Sequence, residues 1–330
     1  THNTSPYLTV YGQDGDVLTK IADPATLPGG GAGWGVDWNH DATSLAVGSS
    51  ASPFIQVYNR SGDVLTKIAD PATLPTSFVY GASWSPDGTS LAVVEGSSPY
   101  VSVYNRSGDV LTKIADPATL PAGQGRGVSW SPDGTYLAVA NVTSPYVTIY
   151  SRSGDVLTKL ADPATLPTGT GFGASWTPDG NYLVITHATA PFLTMYSRSG
   201  STFTKVADPA TTPPATAYSG SWSPDGTYLS VAHGSSPFVT VYSRSGSVLT
   251  KLANPASLPT GTGRGTAYSP TLNAAPTAPT WNTVAGAHDK DAPLVLDWTF
   301  NDPDADPQTA YALSRSVNGG TVEWWTGSAW

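Results

Sequence analysis

"GVSWSPDGTYLAVANVTSPYVTIYSRSGDVLTKLADPATLP" occupies residues 127–167, and its punctuation reads as four short strands. "GVSWS" leads into "SPDGT", where Pro132 presets φ and Gly134 is free to turn left-handed, the chemistry of a tight turn. "YLAVA" is a nearly continuous apolar run suited to burial on both faces. After "NVTSP", the run "YVTIYSR" alternates Val147 and Ile149 with Tyr146, Thr148 and Tyr150. "SGD" turns the chain once more into "VLTKLA", and "DPATLP" leaves the unit.

The same unit recurs along the chain. Trp38, Trp84, Trp130, Trp176 and Trp222 are each 46 residues apart, and Tyr268 takes the next slot. The prolines opening "SPY", "SPF" or "APF" (Pro6, Pro53, Pro99, Pro145, Pro191 and Pro237) keep the same rhythm apart from one extra residue early on. A lysine sits at one place in every fourth strand: Lys20, Lys67, Lys113, Lys159, Lys205 and Lys251. A charge on an outermost strand discourages edge-to-edge pairing, which is the role expected of it. Asp70, Asp116, Asp162 and Asp208 precede prolines in the exit segments and read as turn formers. In the first unit the turn is "WNHDATS"; with Ala42 in place of glycine it is expected to relax.

A four-stranded unit of this length cannot bury its own faces and must stack on its neighbours, which is the signature of a β-propeller blade. The fold expected is therefore all-β, a six-bladed propeller over residues 1–273, with seven blades if another lies upstream. The "WSPDG" turn followed by "YLAVA" resembles the WD40-like family of propeller repeats of the TolB and YVTN types. The "GH…WD" dipeptides of the eukaryotic WD40 branch are missing. One blade is expected to be assembled from both ends, its innermost strand near Tyr268 and its outer strands from residues 1–22, removing the open edges of the ring.

Composition narrows the function. Only 12% of residues are charged and the net charge is −9, so no basic stripe is available for nucleic acid. The chain has no cysteine, which excludes thiolate metal sites and disulfides. Nothing resembles a signal peptide or a membrane-spanning run, so no membrane insertion is expected. The start without Met and the end at "EWWTGSAW" read as a segment of a longer polypeptide.

In so uniform an array, function is expected where the copies disagree. Four residues before each Trp stand Trp34, Tyr80, Arg126, Phe172, Tyr218 and Arg264, among glycines and other small residues, where the connecting loop enters the innermost strand. Aromatic rings stack on the apolar faces of sugars and arginine forks pair with carboxylates, so a collar of these side chains suits a glycan. Plugging of the channel or packing between blades is the competing structural reading. A second varied ring, four residues before each "SPY" proline, holds His2, Ser49, Glu95, Asn141, His187 and His233. Its histidines and glutamate suit metal binding or proton transfer, but one per blade around a wide ring sets them apart, and exposed loop polarity is the expectation. Glu95, Asn141, His187 and His233 join the collar as candidate ligand-binding residues; no catalytic residue and no cofactor are expected.

After a Pro- and Ala-rich linker at 274–281, residues 282–330 carry the strand-like runs "LVLDWTF" and "TAYALSRSV" and the hairpin signal "VNGG". They resemble the first part of an immunoglobulin- or fibronectin type III-like sandwich, of the kind strung along bacteriophage tail and fibre proteins. Asp302, Asp304 and Asp306 alternate in a loop, a spacing that can hold Ca²⁺. That resemblance implies a non-enzymatic module of a phage tail fibre or tail tip, extracellular on the virion, meeting a host surface glycan or receptor and other tail or fibre proteins, with homo-oligomerisation open. A lactonase-like or polysaccharide-cleaving propeller enzyme and a purely architectural spacer remain as alternatives.

Overall fold

The computed structural model describes residues 1–268, apart from 2, 3, 15, 16, 30 and 32, and four short strands beyond them. Two compact units are present, Thr1–Tyr268 and Ser269–Trp330. The first opens with a hairpin of β1 (Tyr11–Asp14) and β2 (Val17–Lys20). Five antiparallel four-stranded meanders follow. Blade one is β3 (Gly33–Trp38), β4 (Ser44–Ser49), β5 (Ile55–Ser61) and β6 (Val64–Lys67). Blade two is β7 (Val79–Trp84), β8 (Ser90–Glu95), β9 (Val101–Ser107) and β10 (Val110–Lys113). Blade three is β11 (Gly125–Trp130), β12 (Tyr136–Asn141), β13 (Val147–Ser153) and β14 (Val156–Lys159). Blade four is β15 (Gly171–Trp176), β16 (Tyr182–His187), β17 (Leu193–Ser199) and β18 (Thr202–Lys205). Blade five is β19 (Ala217–Trp222), β20 (Tyr228–His233), β21 (Val239–Ser245) and β22 (Val248–Lys251). The all-β propeller read from the repeat is the fold observed.

Each blade buries its faces only by stacking. Ala92, Val94, Val101 and Val103 of blade two meet Val128, Trp130, Leu137, Val139, Tyr150 and Leu157 of blade three, and the other junctions repeat this set. Fully burying a large apolar side chain contributes roughly 1.5–3 kcal/mol, so each junction is a core of its own. The N-terminal hairpin docks by the same rule, with Leu8, Val10 and Ile21 against Leu45, Val47, Tyr58 and Leu65 of blade one. At the other end the Gly263 amide donates to the His233 carbonyl at 3.1 Å, and the Ser230 and Thr266 hydroxyls lie 2.6 Å apart.

The two ends thus occupy the outer and innermost positions of a sixth blade, but among the described residues no second strand joins them. Leu18 on β2 is 65% exposed, whereas Leu65, Leu111, Leu157 and Leu249 at the same position are 4–5% exposed. Among the described residues no blade lays its apolar face on β2.

Two repeated side chains lock blade to blade. In blades three to five the buried tyrosine of the third strand reaches back to the preceding exit segment: Tyr150 donates to the Thr119 carbonyl at 2.9 Å, Tyr196 to Thr165 at 2.9 Å and Tyr242 to Thr211 at 3.0 Å; the hydroxyls of Tyr58 and Tyr104 have no partner among the described residues. Burial raises the pKa of each of these phenols. Arg106 lies over Trp84 of its own blade at 5.5 Å and donates to Ser44 and Asn59 of the blade before. The fourth-strand lysines of blades one to four are paired with aspartates. Lys159 and Lys205 pair with Asp162 and Asp208 at 2.5 and 2.6 Å, and Lys67 and Lys113 pair likewise with Asp70 and Asp116. They fold back onto their own exit segment, because that segment places its aspartate three residues on.

Blade one also corrects an expectation. Ala42 holds φ at 55°, close to the 67° of Gly88 and Gly134, so the turn is kept and not relaxed. Asn39 substitutes for the turn serine, its Oδ1 accepting from the Ser44 amide at 2.7 Å, as Ser85 Oγ accepts from Ser90 at 2.9 Å in blade two.

In the second unit, β23 (Thr277–Trp281) pairs with β24 (Trp298–Asn301) and β25 (Leu313–Arg315) with β26 (Glu323–Trp325). Residues 277–281, expected within the linker, are therefore paired as a strand. The remainder of the expected sandwich, the acidic loop at Asp302, Asp304 and Asp306, and His2 lie outside the described residues.

Candidate functional site

The innermost strand of each complete blade contains a register shift near its start. It falls between Val79 and Gly81, Gly125 and Gly127, Gly171 and Gly173, and Ala217 and Ser219, with a wider one between Gly33 and Val36. The residue inside each shift is the collar residue: Tyr80, Arg126, Phe172, Tyr218, and in blade one Trp34 with Gly35. A β-bulge leaves its extra residue out of the ladder and re-aims that side chain. In blades two to four a glycine follows and permits close approach of the next innermost strand: a Cβ on Gly127 would lie 2.6 Å from the Phe172 carbonyl oxygen. Bulge and glycine together place a large side chain beside a tightly packed axis.

The collar is not a ring of six independent side chains. Trp34 stacks on Tyr80 with centroids 4.2 Å apart, Phe78 meets Tyr80 edge-on at 5.1 Å, and the Arg126 guanidinium lies 4.0 Å from the Tyr80 centroid. Gln124 donates to the Tyr80 hydroxyl at 3.0 Å. A second group brings the same residue types together, with Phe172 tilted against Tyr218 at 5.2 Å and Arg264 4.3 Å over Tyr218. Packing between blades, the competing reading, is therefore observed, yet the groups stay accessible. Trp34 is 41% exposed, Arg264 is exposed, and Tyr80, Arg126, Phe172 and Tyr218 are half-buried. Phe78 and Gln124 went unnoticed in the sequence; the signal was their place two residues before the collar, where the fourth and fifth blades carry Thr170 and Thr216.

The second ring requires correction. Ser49, Glu95, Asn141, His187 and His233 are completely buried, not displayed on loops. Each ends a second strand opposite the residue that precedes the bulge, as Asn141 does with Gly125 and His187 with Gly171. Each of Glu95, Asn141, His187 and His233 makes a hydrogen bond within the fold, while Asn141 Oδ1, His187 Nδ1 and His233 Nδ1 are buried without a partner among the described residues. Glu95 accepts from the Thr76 amide at 2.6 Å, from the Thr76 hydroxyl at 2.8 Å and from Ser102. Asn141 donates to Thr148 at 3.2 Å, and His187 and His233 meet Thr194 and Thr240 at 3.0 and 2.9 Å. Burial lowers the His187 pKa to about 4 and that of His233 in the same direction. Among the described residues no three His, Asp or Glu side chains gather where they could hold a metal ion.

One acidic residue was missed. Asp37 on β3 occupies the position taken by Ser83, Ser129, Ser175 and Ser221 in the other blades. Its Oδ2 accepts from the Trp84 amide at 2.7 Å, as Ser83 Oγ does from Trp130 at 3.3 Å. Burial among the innermost strands outweighs that bond and pushes the carboxyl up to about 7.

Solved structures with this arrangement are numerous and distant in sequence. A chain of a mitotic checkpoint complex aligns with a TM-score of 0.60 at 19% identity, over 79% of this chain and 76% of that one. The periplasmic gluconolactonase PpgL of Pseudomonas aeruginosa gives 0.56 at 18%, over 74% and 77%. A putative 6-phosphogluconolactonase of Bacteroides fragilis gives 0.58 at 16%, over 78% of both chains. These likenesses concern the fold. No curated protein matches the sequence. Residues 34–200, just over half of the chain and spanning blades one to three with most of blade four, match the family described as Eukaryotic translation initiation factor eIF2A, and the chain belongs to that family.

Proposed function

We propose that this propeller is a binding module whose bulge-borne collar recognises a surface glycan, and that it is displayed outside the cell on an appendage such as a phage tail fibre or tail tip. The observation that carries the reading is the contrast in one 46-residue unit: a constant frame holds a ring of differing aromatic and arginine side chains that remain accessible. Stacking platforms beside guanidinium groups suit sugar rings that bear acidic substituents. The family name points to translation, but with 15 Lys and Arg against 24 Asp and Glu the chain offers little for an RNA backbone. Other tail or fibre proteins and further copies of the chain are the partners such an appendage implies. The test is a glycan array, with whole host cells as a second arm, probed with the full chain. Binding without turnover supports the reading, and the absence of binding to every sugar and cell type rejects it.

A second reading rests on Asp37, whose carboxyl is pushed up to about 7 by burial among the innermost strands, in a fold shared with the gluconolactonase and the putative 6-phosphogluconolactonase named above. A carboxyl so poised suits general-base chemistry on a lactone. Lactone hydrolysis abolished by Asp37→Asn would establish it; no hydrolysis by the unmodified protein would dismiss it.

A further inference from the structure

The collar sequence has a period of three blades as well as of one. In chain order it reads Trp34, Tyr80, Arg126, then Phe172, Tyr218, Arg264: an apolar aromatic, a tyrosine and an arginine, twice. The geometry follows the same division. In each half the first ring contacts the tyrosine, at 4.2 or 5.2 Å, and the arginine covers the same tyrosine, at 4.0 or 4.3 Å. Among the described residues there is no ring or cation contact from Arg126 to Phe172 or from Arg264 to Trp34, so the collar consists of two separate groups.

Both arginines lack an anionic partner among the described residues. The described ion pairs engage the framework arginines Arg198 and Arg244 with Asp133 and Asp179, and none engages Arg126 or Arg264. The Nε of Arg126 is shielded from solvent and has no hydrogen-bond partner among the described residues. Two guanidinium groups without an anionic partner among the described residues, each over the ring of a tyrosine that also meets a second aromatic ring, stand out in a chain of net charge −9. A guanidinium fork can pair with a carboxylate in two parallel hydrogen bonds.

We propose that the propeller mouth holds two equivalent subsites, Trp34–Tyr80–Arg126 and Phe172–Tyr218–Arg264, each taking one carboxylated sugar. The inference rests on the glycan-binding reading and narrows its ligand to acidic saccharides that offer two carboxylates, either on one chain crossing the mouth or on two separate molecules. Occupation of both subsites by one chain makes the second contact intramolecular, so an oligomer long enough to reach both binds more tightly than its monomer.

The experiment uses the full chain, Arg126→Gln, Arg264→Gln and the double variant on an array of neutral, sulfated and carboxylated saccharides, followed by calorimetry with galacturonate and with oligogalacturonates of increasing length. Expected are hits concentrated among carboxylated saccharides, a loss of about tenfold or more in affinity for each single variant, and no retained binding in the double variant. Galacturonate is expected to fill two sites per chain, and one in each single variant; a sufficiently long oligomer fills one. Thermal melting of each variant verifies folding. Carboxylated hits that survive Arg264→Gln undiminished, or hits confined to neutral or sulfated saccharides, overturn the two-subsite proposal while leaving glycan binding in place. Failure to bind any saccharide overturns both.

Discussion

The perimeter of each blade and the mouth of the propeller come from one repeating unit and follow opposite rules. Residues 60–75 and 106–121 are identical letter for letter, although much of each stretch is exposed. A few residues later the copies diverge into Tyr80, Arg126 and Phe172. Exposure does not explain the difference; neighbours do. The exit segments of blades two to four accept from the tyrosine of the next blade, as Thr119 does from Tyr150, and the lysines of blades one to four pair with an aspartate three residues on. At the mouth the bulge releases the collar residue of each complete blade from the ladder, and that residue varies from blade to blade.

Substitutions that break this contrast should sort by which side they touch. The largest effect is expected on the perimeter: Tyr150→Ala removes a fully buried ring and leaves the Thr119 carbonyl unpaired, for a loss of roughly 3–5 kcal/mol in denaturant unfolding. Next is Asp37→Ser, which gives blade one the residue that its four counterparts carry. Because burial raises the Asp37 pKa from 3.8 to about 7, the folded chain holds a proton that the unfolded chain releases across that window. Stability therefore falls as pH rises from about 4 to 7. The serine variant should gain on the order of 1–3 kcal/mol at pH 8 and nothing near pH 4.

His187 has the opposite sign. Its folded pKa, about 4, lies below the ordinary 6.5, so its contribution is intact above 6.5 and is lost as pH falls towards 4. His187→Asn, which copies the pairing of Asn141 with Thr148 in blade three, should flatten that acid limb in a Tm-against-pH series. The smallest effect is expected at Ala42, whose φ of 55° favours glycine; Ala42→Gly should stabilise by about 0.5–1 kcal/mol.

The fold was legible because a blade is specified locally. Turn prolines, the glycines at 88 and 134, and the apolar second strands all recur in step with the tryptophans. The collar positions were legible too, as the places where that recurrence fails. Their grouping was not, since pairing between Trp34 and Tyr80 depends on how bulges on adjacent strands face each other. The second ring misled for a related reason. A polar residue at a strand end looks like the start of a loop, and only the partner seven residues on, Thr194 for His187 or Thr240 for His233, shows that it is buried. Asp37 escaped notice because serine in the other blades made its position look like framework.

The contrast between mouth and perimeter is tested most directly by measuring saccharide or host-cell binding for two matched variants of the full chain. One replaces Trp34, Tyr80, Phe172 and Tyr218 by alanine. The other replaces the exposed perimeter residues Val64, Val110, Val156 and Val248 by threonine, the residue blade four carries at Thr202. The collar variant is expected to lose binding by at least about tenfold while still melting cooperatively, and the perimeter variant to bind as the parent does. Retained binding in the collar variant, with loss in the perimeter variant, would contradict the assignment of recognition to the mouth.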